Sequence, residues 1–557
     1  MLDDFIDLLW FAVAKPHRWE DELECSEERL VHDYRALWCE LGSIPAIDYG
    51  KVDDDYTLLK RMGLDDPRAL LNSRPSEILS GTQLPWDRLA TYRTVAKLHL
   101  LRNALKAYQA LKDNEGWSDE GLYALSPQVA VSLAETTARS DDGFEVVVQM
   151  RDILPFESVA AMDSGAAIQR RRAHARETQA NLLSRLELSE EVYVQLWLSN
   201  QFIAPLSRWA IRRAAEDSNV RRISPVLQVR ACMDEAMKRV SADMLVAGST
   251  GASQVVALID SGIDETHPDL AGRVVHKRNY VNGSQCADEL GHGTHLAGIV
   301  GARHAQYRGV APDATLWCYR ILDEEGRGSQ TALSRAIHDI VQDSTDDGRM
   351  VVANCSFDVP RGQYVADQDV DNLCRNFDEA TSDIVVVTAA GNSGPEPASI
   401  SGPGAGHRVL TVGATMNRPG GTPDVVSPFT SRGPATGNRI KPDIVAPGGL
   451  ENPRGAKYSG VSMVSCRTVG ATLDRSTSDD KPWHCDDDHY GLSGTSQAAA
   501  LVSGVCALLL EHAQRSNRRL SHAQIAEALR SSARRLGWGP YEEGYGLISA
   551  DAACARL

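Results

Sequence analysis

The chain has 557 residues, 43% of them hydrophobic and 24% charged. That composition excludes a mostly disordered or collagen-like chain, and the length predicts roughly three to four domains. The 58 basic against 75 acidic residues give a net charge of −17, which disfavours nucleic acid or an anionic membrane as a partner.

At the start, Asp3, Asp4 and Asp7 interrupt the first seven residues, so no secretory leader is expected. No uninterrupted run of about 18 apolar residues predicts a membrane span. The 11 cysteines are odd in number and form no CxxC, which argues against a disulfide framework or a zinc ribbon. A cytoplasmic, reduced protein is the resulting expectation.

Residues 1–140 read as mostly helical. Phe5, Leu8, Leu9 and Val13 form one apolar stripe; Leu101, Leu105, Tyr108 and Leu111 form another, stopped by Gly116. No catalytic constellation lies here, and the segment is expected to be an interaction or regulatory domain with a protein partner. Residues 141–235 change character. FEVVVQMR at 144–151 is β-rich, Leu182, Leu183 and Leu186 follow a helical period, and Val194, Leu196 and Leu198 alternate. Ser207 is an N-cap candidate, and 223–229 reads as a last strand. The order β-α-β-α-β predicts a small α+β module.

Residues 236–557 alternate short apolar strands with helices. The predicted strands are 255–259, 316–322, 351–356, 384–390 and 409–412. Unbroken apolar runs of this kind predict a parallel sheet with helices on both faces, and the site of such an α/β fold lies at the carboxyl ends of its strands.

Four motifs sit at these ends. They are Ala257-Leu-Ile-Asp260-Ser-Gly-Ile-Asp264, followed by His267-Pro-Asp-Leu270; Gly291-His292-Gly-Thr-His295-Leu-Ala-Gly298; Thr388-Ala-Ala-Gly391-Asn392-Ser-Gly394; and Leu492-Ser-Gly494-Thr495-Ser496-Gln-Ala-Ala. A serine hydroxyl needs an adjacent base to act as a nucleophile, and a base needs an orienting carboxylate. Together the motifs resemble the subtilisin-like serine proteases, the subtilase family, over about 300 residues. The order Asp, His, Ser is that of subtilisin.

The resemblance implies a serine endopeptidase with Ser496 as nucleophile, His292 as general base, Asp260 as its orienter and Asn392 as oxyanion donor. It implies a substrate cleft walled by Ser356, Phe357 and Asp358 on one side and Ala389, Ala390 and Gly391 on the other. Family members commonly have Gly where this chain has Asp358, which leads to the expectation of a preference for basic residues before the scissile bond. Gln497 and Ala500 also depart from the family pattern without removing a catalytic group. His295 and Asp264 read as a packed structural histidine and a turn acid. No cofactor is needed for the chemistry. Asp269 matches a calcium-ligand aspartate of the family, so calcium as a structural ion is an expectation, although no other ligand is identifiable. The run His484-Cys485-Asp-Asp-Asp-His489 has metal-ligand chemistry but reads as a solvated loop.

The 141–235 module resembles the inhibitor propeptide of subtilases, with Asn200-Gln-Phe-Ile-Ala-Pro-Leu-Ser207 as the matching stretch. By that resemblance its tail near 226–230 enters the cleft and the chain cuts itself between about 228 and 245. Arg230, Lys238 and Arg239 are the basic candidates there. The competing reading is a binding or scaffold protein on a catalytically dormant subtilase fold.

Overall fold

In the computed structural model, the described residues fall within 52–557, apart from short stretches of which the longest include 136–142, 236–247, 360–366, 417–424, 450–462 and 477–484. The stripe at Phe5–Val13 and the candidates Lys238 and Arg239 lie outside the described residues. The chain divides into two compact units: 1–155 with 170–226 and 360–372, and 156–169 with 227–359 and 373–557.

In the first unit, helices Trp86–Glu115, Asp119–Ala124 and Pro127–Glu135 precede a four-stranded antiparallel sheet. Its strands run in the order Val194–Leu196, Gln201–Leu206, Phe144–Met150, Val220–Pro225. Helices and sheet share one core. Leu111, Trp117, Leu125, Val129 and Leu133 pack with Val146, Val148, Phe202, Ile211 and Ile223. The boundary read at residue 140 therefore falls inside a compact unit. Parallel bridging of Leu125 to Ile223 and the bond from Ser126 N to Ile223 O tie the helical segment to the sheet edge.

Two strand readings change. Gln201–Leu206 is an additional strand, although Pro205 offers no N–H to the ladder. The last strand is two: Val220–Pro225 ends at a proline, and Gln228–Ala231 pairs elsewhere, within the second unit. Ser207 caps its helix as expected, accepting from Ala210 N.

The second unit is built on seven parallel strands with one short antiparallel strand at the edge. From that edge they are Val425–Val426, Leu410–Met416 (which also pairs Ile444–Pro447), Val385–Ala389, Val351–Cys355, Val255–Asp260, Thr315–Arg320 and Val274–Asn279. Val256 and Leu258 join one large cluster with Leu296, Val300, Leu501 and Val505. The alternate residues Val255, Ala257 and Ile259 are fully buried outside that cluster, and helix Gln330–Asp347 packs against the same strands. Both faces of the sheet are thus covered, as the unbroken apolar runs predict. Helix Thr495–Arg515 is long and apolar enough to cross a membrane, yet 94% of its most apolar stretch is buried in the protein, so it is a core helix. Three strands of this sheet were not read from sequence. Val274–Asn279 is polar and half-exposed, while 425–426 and 444–447 are very short.

Candidate active site

Asp260 ends the central strand Val255–Asp260, and His292 opens helix His292–Gly301. His292 Nδ1 lies 2.8 Å from Asp260 Oδ1, and both residues are buried. A carboxylate is acceptor only, so the Nδ1 proton is donated to Asp260 and Nε2 carries the lone pair. That Nε2 is buried with no hydrogen-bond partner among the described residues. Two residues outside the sequence reading hold this pair. Asp288 accepts from Gly291 N at 2.7 Å, Thr294 N at 2.7 Å and Ser261 Oγ at 2.8 Å. Ser261 Oγ in turn accepts from Gly293 N at 3.0 Å, which fastens the turn after Asp260 to the start of the His292 helix. Burial raises the Asp288 carboxyl above its ordinary range. Ser261 stood inside a quoted motif, but nothing near Asp288 marked it.

Ser496 is the second residue of helix Thr495–Arg515. Gly494 supplies no capping side chain, and the positive dipole end of the helix lies at Ser496. Ser496 Oγ donates to Ser356 O at 3.0 Å, while Ser356 Oγ donates to Ser496 O at 3.2 Å. Tyr490 Oη donates to Gly291 O at 3.0 Å, joining the residue before His292 to the strand that leads into Ser496.

Asn392 follows strand Val385–Ala389. Its Oδ1 accepts from Thr495 N at 3.0 Å and Thr495 Oγ1 at 2.8 Å. Two donors on one atom fix the amide direction, so Nδ2 is presented away from Thr495. Nδ2 is buried and has no partner among the described residues. Thr495 as orienter is a role the sequence reading missed.

Ser356, Phe357 and Asp358 follow strand Val351–Cys355, and Ala389, Ala390 and Gly391 close the neighbouring strand Val385–Ala389; all six are buried. Gly391 has φ +99°, and a Cβ there would lie 2.9 Å from Ser431 Oγ and 3.5 Å from Asp358 Oδ2. The two groups of residues therefore approach each other, and the glycine is required. Strand Gln228–Ala231 pairs antiparallel with Phe357–Asp358 and with Arg327–Ser329. Asp234–Glu235 pairs antiparallel with Leu492–Ser493.

The subtilase family profile, Peptidase S8, matches residues 251–547. The chain belongs to the subtilase family. As a subtilase it is a serine peptidase acting on proteins or peptides. Serine protease AprX of Bacillus subtilis is 33% identical over 330 residues, covering 57% of this chain and 70% of AprX. Subtilisin DY of Bacillus licheniformis is 32% identical over 323 residues, covering 56% of this chain and 96% of that enzyme. Human membrane-bound transcription factor site-1 protease is 29% identical over 328 residues, but the match spans only 27% of that protein. In fold, the chain resembles the crystal structure of fervidolysin from Fervidobacterium pennivorans, with a TM-score of 0.53, 20% identity, and coverage of 76% of this chain and 62% of that one.

The remaining sequence expectations concern histidines and ions. His295 is fully buried, with Nε2 3.1 Å from Met463 O, and burial, with His292 adding, pushes it down to about 3. Asp264 holds a turn through Thr266 N and Oγ1. The calcium expectation at Asp269 does not fit the donors there. Calcium takes about six to eight oxygens. Asp269 instead gathers with His267, Cys466 and His489, a nitrogen- and sulfur-bearing set. His489 is buried in that set and does not lie in a solvated loop.

Proposed function

We propose that this subtilase is an endopeptidase in which Ser496, His292, Asp260 and Asn392 carry the chemistry. One observation carries the assignment. Among the described residues, the buried polar atoms without a partner include His292 Nε2 and Asn392 Nδ2, an acceptor and a donor that acyl transfer by Ser496 uses. Ser496 Oγ attacks the peptide carbonyl while His292 Nε2 takes its proton. Asp260 holds Nδ1–H and stabilises the imidazolium. The Asn392 amide donates to the oxyanion. His292 returns the proton to the leaving amine, and water then hydrolyses the acyl-enzyme on Ser496. The test is labelling with a fluorophosphonate. The wild-type chain reacts at Ser496 and a Ser496→Ala chain does not; an unreactive wild type supports the dormant scaffold.

The zymogen reading is part of the same proposal. Its support is the pairing of residues 228–231 along Phe357–Asp358 and of 234–235 along Leu492–Ser493, three residues before Ser496. An added antiparallel strand is how an extended peptide binds a sheet edge. The two registers leave Cys232 and Met233, outside the described residues, as the pair between the strands. Self-cleavage is therefore proposed at the Cys232–Met233 bond. Arg230, whose backbone pairs with Asp358, then lies two residues too early to precede the scissile bond. N-terminal sequencing should find a product beginning at Met233, absent in Ser496→Ala; a product cut after Arg230, Lys238 or Arg239 refutes the register argument. The Asp358 preference for basic substrates is tested by a peptide library, and solely apolar preference removes it. A regulatory role for residues 1–140 through a protein partner completes the proposal. It rests on the lack of any catalytic motif there, and unchanged partners and activity without the segment would count against it.

A further inference from the structure

His267, Asp269, Cys466 and His489 are all buried, and one ligand atom from each lies within 4.8 Å of the others. They come from two places in the second unit. His267 and Asp269 flank Pro268 at the short helix Pro268–Leu270, and Cys466 faces His489 directly across an antiparallel strand pair. None of the four has a part in acyl transfer.

The hydrogen bonds around the two imidazoles point to a cation. His489 Nδ1 lies 2.7 Å from Asp486 Oδ1, and His489 Nε2 lies 2.8 Å from Asp269 Oδ2. A neutral imidazole has one N–H. When it serves Asp486, Nε2 aims a lone pair at a buried carboxylate, and only a proton or a metal ion between them relieves that repulsion. His267 Nδ1 accepts from Asp269 N at 3.2 Å, so Nε2 carries the proton and donates to Asp488 O at 2.8 Å; an ion on Nδ1 takes the place of that Asp269 N–H. An imidazole whose far N–H is held by a carboxylate or a backbone carbonyl is the usual surrounding of a metal-bound histidine. The rings of His304 and Tyr307 lie 4.6 and 4.7 Å from that of His489 and pack against it.

We propose that these four residues bind a borderline-soft divalent transition ion, zinc in the first instance, in a closed four-coordinate structural site. Two imidazoles, a thiolate and a carboxylate complete a tetrahedron without an open position. Zinc bonds of about 2.0–2.3 Å put neighbouring donors roughly 3.3–3.6 Å apart, so closing on the ion draws the donors together and releases His267 Nδ1 from the Asp269 N–H. The consequence is mechanical. Strand His489–Ser493 runs straight into Gly494–Thr495–Ser496, and His267 follows the turn after Asp260. An ion here braces the Asp260 end of the site against the Ser496 end.

The test uses the full chain carrying Ser496→Ala, so that self-cleavage does not enter. Purified from zinc-supplemented culture and dialysed, it should retain zinc in equimolar amount and lose thermal stability on chelation. Replacement with cobalt should give a tetrahedral spectrum with a thiolate-to-cobalt charge-transfer band. That band should vanish in Cys466→Ser and persist in Cys485→Ser, which changes a cysteine outside the four that precedes His489. Asp486→Asn, at an exposed position, should weaken binding by about 10–100-fold. A Ser496→Ala chain with the four residues intact that holds no stoichiometric zinc and gives no charge-transfer band, or a band that survives Cys466→Ser, overturns the proposal. Should Cys466→Ser be insoluble, an unchanged affinity in Asp486→Asn overturns it equally.

Discussion

At the scale of single residues, the site is held by neighbours that do no chemistry. Asn392 presents Nδ2 because both donors of Thr495 occupy its Oδ1. Asn392→Leu should lower kcat by about 10²–10³ with little change in KM, the size measured for the matching donor of subtilisin. Thr495→Val removes the hydroxyl's donation to Asn392 and its acceptance from Gly391 N at 3.2 Å, and should cost about 1 kcal/mol or a little more, roughly fivefold in kcat. Steady-state kinetics on one peptide substrate checks both, and an equal loss in the two variants would undo the orienting argument. Two buried histidines contribute to acid sensitivity. Burial pushes His522 down to about 4 and His295 to about 3. In the unfolded chain each titrates near 6.5, so as pH falls the unfolded state takes up protons first. Stability from these groups is complete above about pH 6.5 and is lost toward pH 4 and 3, at up to about 1.4 kcal/mol per pH unit for each histidine. Melting temperature against pH should show this, and His522→Gln, which removes one titrating group, should flatten the acid slope. Ser496, His292, Asp260 and Asn392 are candidates in the sequence because acyl transfer demands those residue types in motifs. Asp288 was not, because a buried cap can come from any loop that reaches the helix start.

At the scale of elements, close approach between helices and strands decides which substitutions are tolerated. Gly298, on the helix opened by His292, would place a Cβ 2.1 Å from Ser465 Oγ and 2.6 Å from Cys466 Sγ. Ser465 Oγ donates to His295 O at 2.7 Å, so the strand cannot retreat without losing that bond. Gly298→Ala should therefore destabilise by about 1–3 kcal/mol and lower activity by shifting His292. Urea denaturation checks the first part; unaltered stability would mean that the strand can move aside. The strands of the central sheet were readable as apolar runs. Val274–Asn279 was not, because an edge strand with alternating half-exposed side chains carries little apolar signal.

At the scale of the whole molecule, the helical segment before residue 140 belongs to the core of the small sheet. Removing residues 1–140 takes away Leu111, Trp117, Leu125, Val129 and Leu133 and leaves Val146, Val148, Phe202, Ile211 and Ile223 exposed. In a Ser496→Ala background, the truncated chain should melt earlier in the 144–225 module and become sensitive there to an added protease. Limited proteolysis with mass mapping reads this directly, and a module as resistant as in the full chain would show that the helices are dispensable to it. The sequence alone divided the chain by texture, and texture does not report which apolar faces meet.

The sequence by itself determined the chemistry and the class of fold. Nucleophile, base and carboxylate are fixed by reactivity, and a parallel sheet covered on both faces writes itself as unbroken apolar runs. Tertiary structure decided what depends on residues far apart in the chain meeting in space. It bracketed the Cys232–Met233 bond by strand register, merged the helical segment with the small sheet, and brought His267 and Asp269 to Cys466 and His489 across about 200 residues of chain. Each of these is a matter of side-chain proximity or strand register, and local composition specifies neither.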